Sequence, residues 1–207
     1  MFLESMQFLV SGAAFGAAGG VSPGPTTTLV IAQTLRHGLR EGLKVAIAPL
    51  LTDTPIILVS LLLTRQVSAD PLLALISFVG AAFLLYLAYE SFTAKPLDLT
   101  PQDVKPGSIG RGMLANFFNP HPWIFWLTVG GPTMQRALDS SALAALLFLV
   151  GQYTLLVGAK MAIAVIVDRG RKRLGSGYLY VMKFLGIVLV TFSILFMREA
   201  LQYLGWL

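Results

Sequence analysis

Six stretches of this 207-residue chain are apolar for long enough to cross a lipid bilayer, at about residues 7–33, 43–64, 72–92, 112–130, 140–167 and 178–198. An α-helix rises 1.5 Å per residue, so about 20 mostly apolar residues cover the roughly 30 Å of hydrocarbon in a membrane. Lipid offers the backbone no hydrogen bonds, and only helices or closed barrels satisfy their own polar groups there. Barrel strands alternate apolar and polar residues, and these continuous runs do not. The chain is therefore read as an all-α integral membrane protein of six transmembrane helices, forming a single domain over residues 1–207. Charge content agrees: only 12% of residues are charged, about half of what a soluble surface carries. Residues 1–10 contain Glu4 and no Lys or Arg, so the start is not expected to be a cleavable signal peptide, which opens on basic residues.

The basic residues set an orientation. Arg36, Arg40 and Lys44 follow the first run, Lys95, Lys105 and Arg111 the third, and Arg169, Arg171, Lys172 and Arg173 the fifth. The other connections and termini hold only Arg65, Arg136 and Arg198. Positive residues favour the cytoplasmic side, which predicts a multi-pass protein of the cell membrane with both termini outside. The net charge of +5 is explained by this asymmetry, and no nucleic-acid partner is expected. Glu90 is expected near the inner surface, solvated and without a special role. A polar connection over about residues 93–111 divides the chain into halves of about 1–92 and 112–207. Three runs per half turn the second half upside down relative to the first, the inverted-repeat plan of many secondary transporters. The halves share weak marks: Pro23-Gly24-Pro25 against Pro120-His121-Pro122, and Phe78-Val79-Gly80 against Phe184-Leu185-Gly186.

Four features within the runs can carry chemistry. Gly12, Gly16, Gly20 and Gly24 recur every fourth residue, which lets a second helix approach closely. Ser22-Pro23-Gly24-Pro25-Thr26 follows, and two prolines cannot sit in an unbroken helix. A break at membrane depth frees carbonyls and a helix N-terminus that can bind ions or a carboxylate; otherwise it is a proline kink with threonines bonding back to the helix. Asn119-Pro120-His121 is the counterpart in the fourth run, either as a second break or as a capped helix start. His121 can titrate there, or serve as a polar partner in the bundle. Asp53 lies near the middle of the second run, where a charge costs roughly 2.5–3.5 kcal/mol on insertion scales. Lys160 is the basic residue well inside a run, and Tyr153, seven residues earlier, shares nearly the same face, with Gln152 beside it. Asp53 and Lys160 are read as a substrate-binding or proton-coupling pair, against a purely structural ion pair. Cysteine is absent, which excludes disulfides and thiolate metal sites. No phosphate-binding loop, dinucleotide motif, metal-ligand cluster or nucleophile elbow occurs, so no cofactor, metal or catalytic residue is expected.

With these residues in hand, the chain resembles the lysine-exporter (LysE/RhtB-type) family of amino-acid translocators over essentially its whole length. The likeness rests on Pro23-Gly24-Pro25 followed by Thr28-Leu29-Val30, on Asp53, and on Gly80-Ala81-Ala82-Phe83-Leu84-Leu85-Tyr86-Leu87. Asn119-Pro120, a basic loop and Gly186 complete it. Ser22 stands where a glycine is usual, and His121-Pro122 replaces the more usual Lys-Ala. The resemblance implies export of amino acids or related small solutes, without ATP hydrolysis by this chain. The expected partners are the bilayer and a small-molecule substrate, with a homo-oligomer left open.

Three other readings are weighed. Export of an inorganic ion fits poorly with the absence of cysteine and the few carboxylates in the runs. A membrane-embedded enzyme needs more ionisable groups on facing helices than the runs supply. A non-transporting scaffold leaves Asp53 and Lys160 as costly residues without a purpose.

Overall fold

Proline decides where the first helix ends. The structure, a computed structural model, describes residues 2–63, 70–94, 107–171, 173 and 177–206. Helix α1 (Phe2–Val21) ends before Ser22, and α2 (Pro25–His37) starts three residues after Ser22, with Gly24 fully extended between them. Pro23 and Pro25 have no N–H to donate to Gly19 and Val21, so the helical ladder cannot run through. Gly38, at φ +90°, turns the chain into α3 (Leu39–Ala46), which continues after a slight irregularity at Ile47 as α4 (Ala48–Leu63). Then comes α5 (Asp70–Phe92). The fourth apolar run is divided more finely, into α6 (Ser108–Phe117), α7 (Pro120–Phe125), a π-helical turn (Trp126–Gly130) and α8 (Gly131–Ser140). Two long helices finish the chain, α9 (Ala142–Arg171) and α10 (Gly177–Tyr203).

Every described element is helical, and no strand occurs among the described residues. Four helical segments are long and apolar enough to cross a membrane: Leu39–Leu62, Ala74–Phe92, Ala142–Arg171 and Leu179–Tyr203. They coincide with the second, third, fifth and sixth apolar runs. The first and fourth runs are instead the two broken by proline. Residues 95–106 of the long connection, with Lys95 and Lys105, lie outside the described residues, as do Arg65 and Lys172.

Two helix pairs form the body of the bundle, α1 along α9 and α5 along α10. The glycine stripe explains the first. A Cβ at Gly12 or Gly16 would run into the carbonyls of Phe148 or Gln152, and one at Gly20 would meet the Leu155 carbonyl at 2.9 Å. Gly151 answers from α9, where a Cβ would strike the Leu9 carbonyl. The two backbones are therefore in direct contact, and dispersion between them replaces side-chain packing. Phe148 and Trp126 fill the neighbouring core edge to face. Large apolar side chains such as Leu62, Leu75, Ile166, Phe184 and Ile194 point outward and are exposed, as lipid-facing residues are.

Glu90 corrects the expectation of an idle surface carboxylate. Its Oε2 takes the Arg111 guanidinium at 2.5 Å and that of Arg36 at 3.3 Å. Its Oε1 accepts from Tyr86 at 2.8 Å, and its carbonyl accepts a further Arg36 N–H. Arg171 donates to the Leu35 and Arg36 carbonyls at 2.7 and 3.0 Å, satisfying the C-terminus of α2, which has no helical donors left. Asp168 accepts the Leu39 N–H at 3.1 Å. Arg36, Arg111 and Arg171 come from the three basic segments, so those segments meet at one end of the bundle.

The glycine contacts set a matched pair of substitutions. Gly16→Val should lower the thermal midpoint in detergent, by about 1–3 kcal/mol of overpacking, or roughly 2–12 °C. Gly158→Ala, where an added Cβ meets nothing within 4 Å, should hold or raise it, because alanine favours a helix interior over glycine. Equal midpoints would mean that the α1–α9 contact is not as close as described.

Candidate functional site

The missing donor at Pro23 leaves the Gly19 carbonyl, four residues earlier, without its helical partner. Lys160 fills the vacancy, with Nζ 3.4 Å from that oxygen. The same ammonium donates to Thr27 Oγ1 at 3.0 Å. Thr27 in turn donates its hydroxyl hydrogen to the Ser22 carbonyl at 3.0 Å. Lys160, only 5% exposed, is thus bonded to chain on both sides of the break. At the start of α2, Gly24 supplies no side-chain cap and Pro25 has no N–H, so the amides of Thr26 and Thr27 have no acceptor within the helix. The Thr26 hydroxyl is buried and also lacks a partner. Two amides, a hydroxyl and an ammonium converge on one place, the arrangement that suits an anion at a helix N-terminus.

The second break is closed differently. Asn119 Oδ1 accepts the His121 N–H at 3.0 Å, capping α7. The Phe117 carbonyl, left over by that exchange, accepts from the Trp123 indole at 2.7 Å. Asn119 therefore reads both ways at once, as a helix cap and as the edge of a break. Its side-chain oxygen is already in use. The π-helical turn after α7 has one residue too many for an α-helical turn, a distortion frequent at functional sites, and it carries the buried Trp126.

Asp53 projects from α4 and is 4% exposed. Asn116 Nδ2 donates to its Oδ1 at 2.7 Å, and the Tyr153 hydroxyl to its Oδ2 at 3.1 Å. The other Nδ2 hydrogen of Asn116 goes to Thr52 Oγ1 at 2.8 Å, and the Trp126 indole is a further polar neighbour of the carboxylate. Asp53 and Lys160 do not form an ion pair: each has its own protein partners.

Both charges face one cavity of about 380 Å³. Of the residues singled out in the sequence, Ser22, Pro23, Gly24, Pro25, Thr26, Asp53, Asn119, His121 and Lys160 line it. Pro120 and Tyr153 do not; Tyr153 acts on the cavity only through Asp53. Ser22, Pro23 and His121 are exposed at its mouth, and the His121 ring meets Phe196 edge to face. Among the lining residues that the sequence does not mark as site residues, Asn116, Trp126, Thr27 and Gln152 bring polar side-chain groups. Asn116 had a signal, a lone amide in an apolar helix three residues before Asn119. Trp126 had none. Among the described residues, no group of three His, Asp or Glu is placed to hold a metal ion.

A cation and an anion lining one cavity, each with its own protein partners, suit a solute that carries both charges. The Asp53 anchor can be tested directly. Asn116→Leu should cost about 1–3 kcal/mol in a detergent melt, because it strands a buried carboxylate. Adding Asp53→Leu should recover part of that loss, since a group no longer present needs no partner. A double mutant less stable than Asn116→Leu alone would show that the two residues are not coupled in this way.

A family model described as LysE type translocator matches residues 17–200. Neither a curated protein nor a solved structure matches the chain.

Proposed function

We propose, from the premise that this chain belongs to the LysE type translocator family, that it is a secondary transporter exporting amino acids or related zwitterionic solutes. The family is one of membrane translocators of small solutes, and the transported chemistry is inferred from the cavity. The observation that carries it is the separation of Asp53 from Lys160 across one cavity. The solute's carboxylate would take the Lys160 ammonium, the Thr26 hydroxyl and the free amides at the start of α2. Its ammonium would take Asp53, which keeps lone pairs beyond those used by Asn116 and Tyr153. Asn119, whose oxygen caps α7, is left to shape the wall. Transport would be driven by the membrane potential or by a proton gradient.

The packing supports two inverted halves of three spans with the broken helices meeting near the midplane. Each main helix pair draws one member from either half, α1 with α9 and α5 with α10. The meeting of the three basic segments at one end supports a cytoplasmic end there, with both termini outside in the cell membrane.

Reconstituted protein should move labelled amino acids across proteoliposomes, and flux should respond to an imposed potential or pH gradient. Asp53→Asn and Lys160→Met should each lower kcat/KM by about 10- to 150-fold, the worth of one charge-assisted hydrogen bond. Unchanged flux in Asp53→Asn at every pH would remove the carboxylate from the mechanism. Transport of only one charge type, with zwitterions excluded, would overturn the reading of the cavity.

A further inference from the structure

One polar group in the cavity wall is not accounted for by a zwitterion's two charges. Gln152 is 4% exposed, lines the cavity, and its side-chain oxygen is buried without a hydrogen-bond partner. Among the described residues its carboxamide makes no hydrogen bond. Thr27 is taken by Lys160 and Ser22, Asn116 by Asp53 and Thr52, and the Asn119 oxygen by His121, while the unpartnered Thr26 hydroxyl is assigned to the solute's carboxylate. A fully buried amide left unpaired is destabilising, and most such groups in folded proteins have a partner.

The position of Gln152 is fixed by packing that has nothing to do with its side chain. Its backbone lies directly under Gly16 of α1, so α9 cannot rotate to carry the amide elsewhere. The next residue, Tyr153, reaches Asp53, and Lys160 follows eight residues after Gln152, about 12 Å along the helix axis. Along α9, Gln152 therefore lies next to the residue that holds Asp53 and two turns before the backbone of Lys160. It is neutral, so it adds nothing to the recognition of charge. Whichever way the amide is turned, it presents both a donor and an acceptor.

We propose that Gln152 is a specificity-determining residue whose carboxamide binds a neutral hydrogen-bonding group, an amide or a hydroxyl, on the solute's side chain. The proposal rests on the zwitterion reading of the cavity and extends it to the third substituent. A solute with such a group satisfies the amide, while an apolar solute of the same shape leaves it unpaired. Sites built this way discriminate by loss of the bond in the wrong complex, here by about 5- to 150-fold.

The test uses two isosteric pairs, asparagine against leucine and threonine against valine. Binding to the purified protein by titration calorimetry and flux in proteoliposomes are both measured. The wild type should prefer asparagine and threonine by the factor above. Gln152→Leu should abolish or invert both preferences while retaining transport of leucine and valine. Its thermal midpoint without solute should hold or rise, because the substitution removes an unpartnered buried amide; a structural role for Gln152 would lower it instead. Equal affinities within each wild-type pair, as when water alone fills the amide's valences, overturn the proposal while leaving the transporter reading intact. So does an unchanged preference in Gln152→Leu. If none of the four amino acids binds, the zwitterion reading fails and this inference falls with it.

Discussion

The site depends on the hydrogen bond between Lys160 and the Gly19 carbonyl. A proline inside a helix frees the carbonyl four residues earlier, and in this chain a group of the protein answers it. Here the answer is a charged side chain from a different helix. That contact explains why a lysine is tolerated deep in an apolar run. It also leaves the start of α2 uncapped beside a positive charge. The second break answers its own freed carbonyl with a tryptophan and caps its own helix with Asn119. The same local problem, solved by a neutral group, yields a closed end. The two breaks are alike in sequence and opposite in what they offer a solute.

Close backbone contact supplies the rest of the rigidity. Gly12, Gly16 and Gly151 bring α1 and α9 together without intervening side chains, and this contact sets the depth of both Lys160 and Gln152. Burial of apolar surface away from water contributes little once a chain is in lipid, so shape fit and interhelical hydrogen bonds carry more of the load. The polar bonds are concentrated in two places, the cavity and the Glu90 cluster. Between them lies α2, buried along nearly its whole length. Its first turn lines the cavity and its last carbonyls are held by Arg171.

What could be read in the sequence follows from how local each cause is. Hydropathy found the four continuous spans because each run is its own evidence. The prolines marked both breaks because their missing N–H groups act within four residues. Asp53 and Lys160 stood out because a charge in an apolar run is costly wherever it points. Their separation could not be read, since nothing local says that Lys160 turns to Gly19 and Thr27 instead. Asn116 and Gln152 were visible as polar residues, but their roles depend on which groups three-dimensional packing leaves without partners. Glu90 was misjudged for the same reason: proximity to the membrane surface suggested solvation, while two arginines distant in sequence converge on it. The π-helical turn at Trp126–Gly130 left no trace in the sequence.

One consequence concerns Thr27, whose hydroxyl receives from Lys160 and gives to Ser22. The ammonium and this hydroxyl together act as a splint across a chain that has no helical continuity of its own. Any anion that draws Lys160 toward itself competes with the splint for the same protons. Occupancy of the cavity and slack in the joint are then two readings of one equilibrium. A joint whose brace is also its docking point is stiffest when empty.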